Sequence, residues 1–118
     1  MSCKEKKVVQ LANGPKAIGP YSLGVTAGPF LFASGQLGLL PETGALVEGG
    51  VEAETRQALL NLKAILEGGE TCLENVVKTT VFLRDINDFA KMNAVYAEFF
   101  TENPPARSAV QVAALPKN

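Results

Sequence analysis

The chain has 118 residues, 47% of them hydrophobic, with 11 basic and 12 acidic side chains and a formal net charge of −1. That length specifies one domain, residues 1–118, around a single core, and its interspersed charges make no field that would gather nucleic acid or an anionic membrane. There is no histidine, which excludes Ser-His and Cys-His nucleophilic chemistry and removes the commonest transition-metal ligand, so no metal and no cofactor is expected.

A mean hydropathy of +0.12 is apolar for so small a chain, and a monomer of this size cannot hide that much apolar surface, which predicts a homo-oligomer. No apolar run has the length of a signal peptide or a membrane span. The two cysteines, Cys3 and Cys72, then read as reduced thiols of a cytoplasmic protein. The run Lys4-Glu5-Lys6-Lys7 reads as a solvated tail.

Lys7 to Leu11 is a short β-favouring run, closed by the turn signal Asn13-Gly14-Pro15. The stiff loop Ala17-Ile18-Gly19-Pro20-Tyr21-Ser22 leads into a second strand over Leu23–Ala27. Gly28-Pro29 is a tight turn, and Phe30–Ser34 completes an antiparallel hairpin. Gly35-Gln36 ends that strand, and Leu37–Gly50 is a loop with turn chemistry at Pro41-Glu42-Thr43-Gly44.

Val51–Glu67 is the clearest helix: Val51, Thr55, Ala58, Leu62 and Ile65 recur at helical spacing, with Leu59 and Leu66 widening the stripe. Gly68-Gly69 predicts a left-handed stop. Val76–Leu83 is β-branched and aromatic, a strand with Val77, Thr79, Val81 and Leu83 on one face. Asn87 or Asp88 caps a second helix running to Phe100, with Phe89, Met92, Tyr96 and Phe99 facing the core. Ala109–Leu115 is a last strand. The order β-β-β-α-β-α-β predicts an α+β domain, a mixed sheet with two helices on one face.

Among three arginines, Arg56 lies on a helix face and Arg84 at a strand end. Arg107 stands directly behind Asn103-Pro104-Pro105, whose restricted backbone aims the next side chain reproducibly. Its guanidinium is a planar fork matched to a carboxylate through two parallel hydrogen bonds. The competing reading is a surface ion pair beside a rigid turn.

Six stretches, in this order, resemble the Rid family, the reactive intermediate deaminases, also called the YjgF family. They are Ala17-Ile18-Gly19-Pro20-Tyr21-Ser22, Ala33-Ser34-Gly35-Gln36, Val76 through Leu83, Asp85-Ile86-Asn87-Asp88-Phe89, Asn93-Ala94-Val95-Tyr96, and Pro105-Ala106-Arg107-Ser108 with Val112 through Lys117. The resemblance implies a chorismate-mutase-like fold and a homotrimer with three sites at subunit interfaces. It also implies hydrolysis of 2-imino acids such as 2-iminobutanoate and 2-iminopropanoate, or their enamine tautomers, to 2-keto acids and ammonia, without metal or cofactor.

Carried over by position, Arg107 would clamp the substrate carboxylate and Tyr21 would offer its hydroxyl to substrate or water. Asn93 would hydrogen-bond within the pocket, Ser34 and Gly35 would bring backbone close to the ligand, and the Ala109 carbonyl would face the imine nitrogen. Core packing with an exposed hydroxyl is the competing reading for Tyr21, and a buried helix polar residue with a local partner for Asn93. In the family a strand follows the Leu115-Pro116-Lys117 turn and carries a glutamate that positions the water. The chain therefore reads as truncated after Asn118, with that strand missing and activity impaired. Two other functions compete: a non-catalytic trimeric binding module for small keto or imino acids, and an endoribonuclease or translation inhibitor, as some relatives have been described.

Overall fold

In the computed structural model, which describes residues 5–117, the elements follow the expected order. Cys3, Lys4 and Asn118 lie outside the described residues. Strand β1 is Lys7–Val8, β2 Gly24–Ala27 and β3 Phe30–Ala33. Helix α1 is Gly50–Gly68, β4 Lys78–Leu83, α2 Phe89–Phe99 and β5 Ala106–Gln111.

The first three strands form an antiparallel sheet in the order β1-β2-β3. Gly28 takes φ +59 in the two-residue turn between Ala27 and Phe30, the left-handed geometry that lets such a turn follow the twist of its strands. Strands β4 and β5 form a second, parallel pair, joined through α2. A parallel pair needs such a crossover, because no tight turn reverses the chain twice. The expected mixture of parallel and antiparallel pairing is present, divided among the described residues between one antiparallel and one parallel sheet.

Three boundaries depart from the sequence reading, each for a local reason. The first strand is only Lys7–Val8, although the Val9 N–H still donates to the Gly24 carbonyl at 2.9 Å. The fourth begins at Lys78 rather than Val76, since a 3₁₀ turn over Leu73–Asn75 takes the Val76 N–H into its own bonding. The last strand starts at Ala106 instead of Ala109, because its register pairs Lys78 with Ala106 and Leu83 with Gln111. That register puts Arg107 inside the strand.

The helix ends also correct two expectations. The left-handed residue after α1 is Glu70, at φ +66, while Gly69 sits at φ −92. The Thr71 N–H reaches the Leu66 carbonyl at 2.8 Å and the Glu70 N–H that of Glu67 at 3.0 Å, the paired closure of a Schellman motif. A Cβ on Gly68 would require the Leu11 side chain to shift, and one on Gly69 that of Leu31. Ahead of α2, Asp88 occupies the N-cap position without a side-chain bond. Asp85 does the capping instead, accepting the Asn87 N–H at 2.9 Å in a 3₁₀ turn over Ile86–Asp88.

The core lies between the helices and the inner sheet faces. Leu59 and Leu66 of α1 meet Leu83 of β4 and Met92, Tyr96 and Phe100 of α2. Leu31 packs against this cluster, while Phe30 and Phe32 on the opposite face of β3 are 60% and 64% exposed. The same alternation leaves Phe82 and Val110 exposed on the second sheet. Both sheets thus present aromatic or branched residues outward, more apolar surface than scattered exposure explains.

Candidate functional site

Arg107 sits one residue into β5, opposite Thr79 of β4, with its side chain on the helix-covered face. Alternation along the strand sends Ala106 and Ser108 outward, and Arg107 and Ala109 inward to partial burial. Helix α2 meets the guanidinium with Phe89, Asn93 and Tyr96, positions i, i+4 and i+7 of one helix face. Arg107 Nη1 donates to Asn93 Oδ1 at 2.7 Å. Its Cζ lies 4.8 Å from the Tyr96 ring centroid and 5.4 Å from that of Phe89, distances at which a ring face attracts a cation.

Among the described residues Arg107 has no carboxylate partner; the ion pair there is between Arg56 and Glu98, at 2.9 Å. A half-buried guanidinium held by an amide oxygen and two rings keeps most of its five N–H donors for something else. The surface ion-pair reading of Arg107 has no counterpart in this geometry. Ala109, two residues further along β5, sits beside Val81.

Tyr21, Ser34 and Gly35 form a second group. The proline-stiffened loop before β2 bends so that the Tyr21 N–H meets the Gly19 carbonyl at 2.8 Å. The Tyr21 hydroxyl accepts the Ile18 N–H at 3.2 Å, which leaves its own proton for another acceptor. Tyr21 is 42% exposed, and its hydroxyl is engaged by the loop backbone. Ser34 Oγ donates to the Ser22 carbonyl at 2.6 Å, tying the end of β3 to the Tyr21 loop. A Cβ on Gly35 would meet nothing within 4 Å. Its lack of a side chain therefore serves no contact within the described residues.

Tyr21 and Gly35 line a cavity of 360 Å³ whose far wall is the loop after β3, including Leu39, Leu40 and Thr43. The Leu39–Leu46 bridge and the Gly44 N–H to Leu40 carbonyl bond, at 2.8 Å, fold that loop back on itself. Asn61 of α1, only 2% exposed, fastens it. Its amide nitrogen donates to the Leu37 and Leu39 carbonyls at 3.2 and 2.9 Å, and its oxygen accepts from Gln57 at 2.9 Å.

The structure thus brings Arg107, Asn93 and Ala109 together on one side, and Tyr21, Ser34 and Gly35 together on another. No hydrogen bond joins the groups among the described residues, and Arg107 is not among the residues lining the cavity. Sequence reasoning missed Thr79 and Asn61, and read Tyr96 and Phe89 as core alone. A polar residue at 61, between the apolar positions 58 and 65 of the helix stripe, was the available signal for Asn61.

Residues 11–118 match the family model described as endoribonuclease L-PSP. A RutC family protein of Pyrococcus horikoshii is 54% identical over 96% of this chain and 90% of its own. The human protein named 2-iminobutanoate/2-iminopropanoate deaminase is 50% identical over 99% of this chain and 85% of its own. Among solved structures, the YjgF gene product of E. coli superimposes with a TM-score of 0.87 at 49% identity, covering 94% of this chain and 89% of that one. A match over nearly all of the sequence, with the same order of strands and helices, makes this chain a member of the Rid, or YjgF, family.

Proposed function

We propose that this protein hydrolyses short 2-imino acids, 2-iminobutanoate and 2-iminopropanoate among them, to 2-keto acids and ammonia. The observation that carries the reading is Arg107: half-buried, oriented by Asn93 and Tyr96, and without an acidic partner among the described residues. A carboxylate entering its fork makes two charge-assisted bonds in a shielded setting. The activity named for the human relative, at 50% identity, supplies the substrate class.

Clamping the carboxylate places the adjacent imine carbon at a fixed distance from a held water. The water adds across C=N to give a carbinolamine. Transfer of the hydroxyl proton to nitrogen then breaks the C–N bond, releasing ammonia and the keto acid. This chemistry has a low intrinsic barrier, so positioning supplies much of what is needed. Tyr21 retains a hydroxyl proton to offer the water or the substrate nitrogen.

The two residue groups belong to one site if they meet across a seam between identical subunits, a homotrimer placing three such seams. The outward residues Phe30, Phe32, Phe82 and Val110 support burial by a second copy. The bare Gly35, with open space where a side chain would stand, supports close approach of a ligand or a neighbour there. The near-neutral charge and the absence of histidine weigh against RNA cleavage.

The test couples the protein to a threonine dehydratase reaction and follows keto-acid and ammonia release. Arg107→Lys keeps the charge and loses the fork, so kcat/KM should fall about 10- to 150-fold, the equivalent of one charge-assisted hydrogen bond. Undiminished turnover by that variant would remove the assignment of Arg107. Tight 2-oxobutanoate binding with no faster imine loss would make the protein a binding module.

A further inference from the structure

One hydrogen bond does not fix a guanidinium. Held by Asn93 alone, the plane of Arg107 would swivel about the Nη1–Oδ1 axis and its fork would sweep an arc. The second constraint is the ring of Tyr96, 4.8 Å away, against which a guanidinium plane settles by stacking and cation–π attraction. That ring is itself held at two points. Its hydroxyl lies 2.6 Å from Thr79 Oγ1, and its flank rests on Phe100 at a centroid distance of 4.7 Å. Thr79 is also the register partner of Arg107 across the parallel pair.

The anchor and the anchored group therefore stand on the same rung of the β4–β5 sheet, with the α2 ring bridging between them. Filling the core does not require the hydroxyl, since phenylalanine would supply the same ring. We infer that Thr79 and Tyr96 are positioning residues whose hydroxyl pair sets the plane in which Arg107 presents its fork to the substrate carboxylate. The kinetic part of this inference rests on the imine-hydrolase reading; the orientation of Arg107 does not.

Tyr96→Phe and Thr79→Val test it, because both keep side-chain volume and remove one hydroxyl. Thr79→Ser restores an oxygen at the same point. With three arginines in the chain, Nε–H relaxation by NMR reads Arg107 directly, with Arg56 and Arg84 as internal controls. Both deletion variants should lower the Arg107 Nε order parameter, and Thr79→Ser should recover it. The dissociation constant for 2-oxobutanoate and the KM for 2-iminobutanoate should rise about three- to tenfold at nearly unchanged kcat, the pattern of lost carboxylate positioning.

The double variant should be no worse than either single one, since one bond is removed only once. Unchanged Arg107 order in either variant, or a lowered melting temperature with unchanged order and binding, overturns the inference. Loss of order in variants of a protein that proves not to hydrolyse imines leaves the inference standing and removes the proposed reaction instead.

Discussion

Asn61 offers the sharpest energetic test of how the cavity wall is built. Its amide is almost fully buried and every polar atom of it is used: two donors on the Leu37 and Leu39 carbonyls, one acceptor for Gln57. Asn61→Ala deletes all three bonds and strands two carbonyls and an amide in partly buried positions. A buried group left unpaired costs about 1–3 kcal/mol. Because Leu37, Leu39 and Gln57 are only half-buried, water recovers part of the loss, and a total of about 2–3 kcal/mol follows. For a chain of this size that lowers the melting temperature by roughly 6–15 °C.

Urea denaturation at matched protein concentration checks the value, since any assembly makes stability depend on concentration. Asn61→Asp sharpens the test. The shape is retained, but a carboxylate oxygen replaces the donor and faces two carbonyl oxygens. Its folded pKa must rise above the unfolded value of about 3.9, so the stabilising, protonated form is favoured at low pH and the deficit grows as pH rises through the folded pKa. Asn61→Asp should thus be worse than Asn61→Ala at pH 7 and closer to wild type at pH 4. An Asn61→Ala protein within about 0.5 kcal/mol of wild type, at unchanged m-value, would refute the view that this amide secures the loop.

Gly38→Ala should cost about 1–3 kcal/mol by overpacking, because the new Cβ would stand 2.7 Å from the Glu54 Cα and 2.8 Å from its carbonyl oxygen, backbone that cannot rotate away. A thermal melt matching wild type would show that the loop shifts without penalty. Glu70→Gly should stabilise by about 0.5–1 kcal/mol, since Glu70 closes the α1 motif in a left-handed conformation at φ +66 that disfavours any side chain. Loss of stability on that change would mean the Glu70 side chain contributes more than its backbone strain. For a site shared between subunits, refolding a mixture of Arg107→Ala and Tyr21→Phe chains, each poorly active alone, should recover about a quarter of wild-type sites by random pairing. No recovery would place both residues of each site in one chain.

What the sequence made legible follows from what is local. Helix α1 announced itself by spacing, and its buried Leu59, Ile65 and Leu66 fall on the expected stripe. The hairpin at Gly28-Pro29 followed from turn chemistry alone, and the Thr79, Val81 and Leu83 face from alternation, although Val77, expected on that face, lies before the strand and is exposed. The failures share a cause. The β5 boundary was misplaced because its first residue is fixed by pairing with Lys78, nearly thirty positions away in sequence. The stop of α1 falls on Glu70 and not on the glycines, which lie close to Leu11 and Leu31, contacts no local pattern reports.

The same distinction separates the two halves of the candidate site. Proline stiffness and motif resemblance were enough to single out Arg107, but nothing near it in sequence says what orients it. That depends on a parallel register putting Thr79 on its rung and on a helix face bringing Phe89, Asn93 and Tyr96 over it. A crossover unit is suited to this task. Its helix and both strands are rigid, and one side chain from each is enough to define a plane. Had Arg107 preceded the strand, as the sequence reading placed it, two prolines would have aimed its backbone while leaving the guanidinium unheld. Being one residue inside β5 gives the fork a fixed floor, which a solvated surface cation lacks.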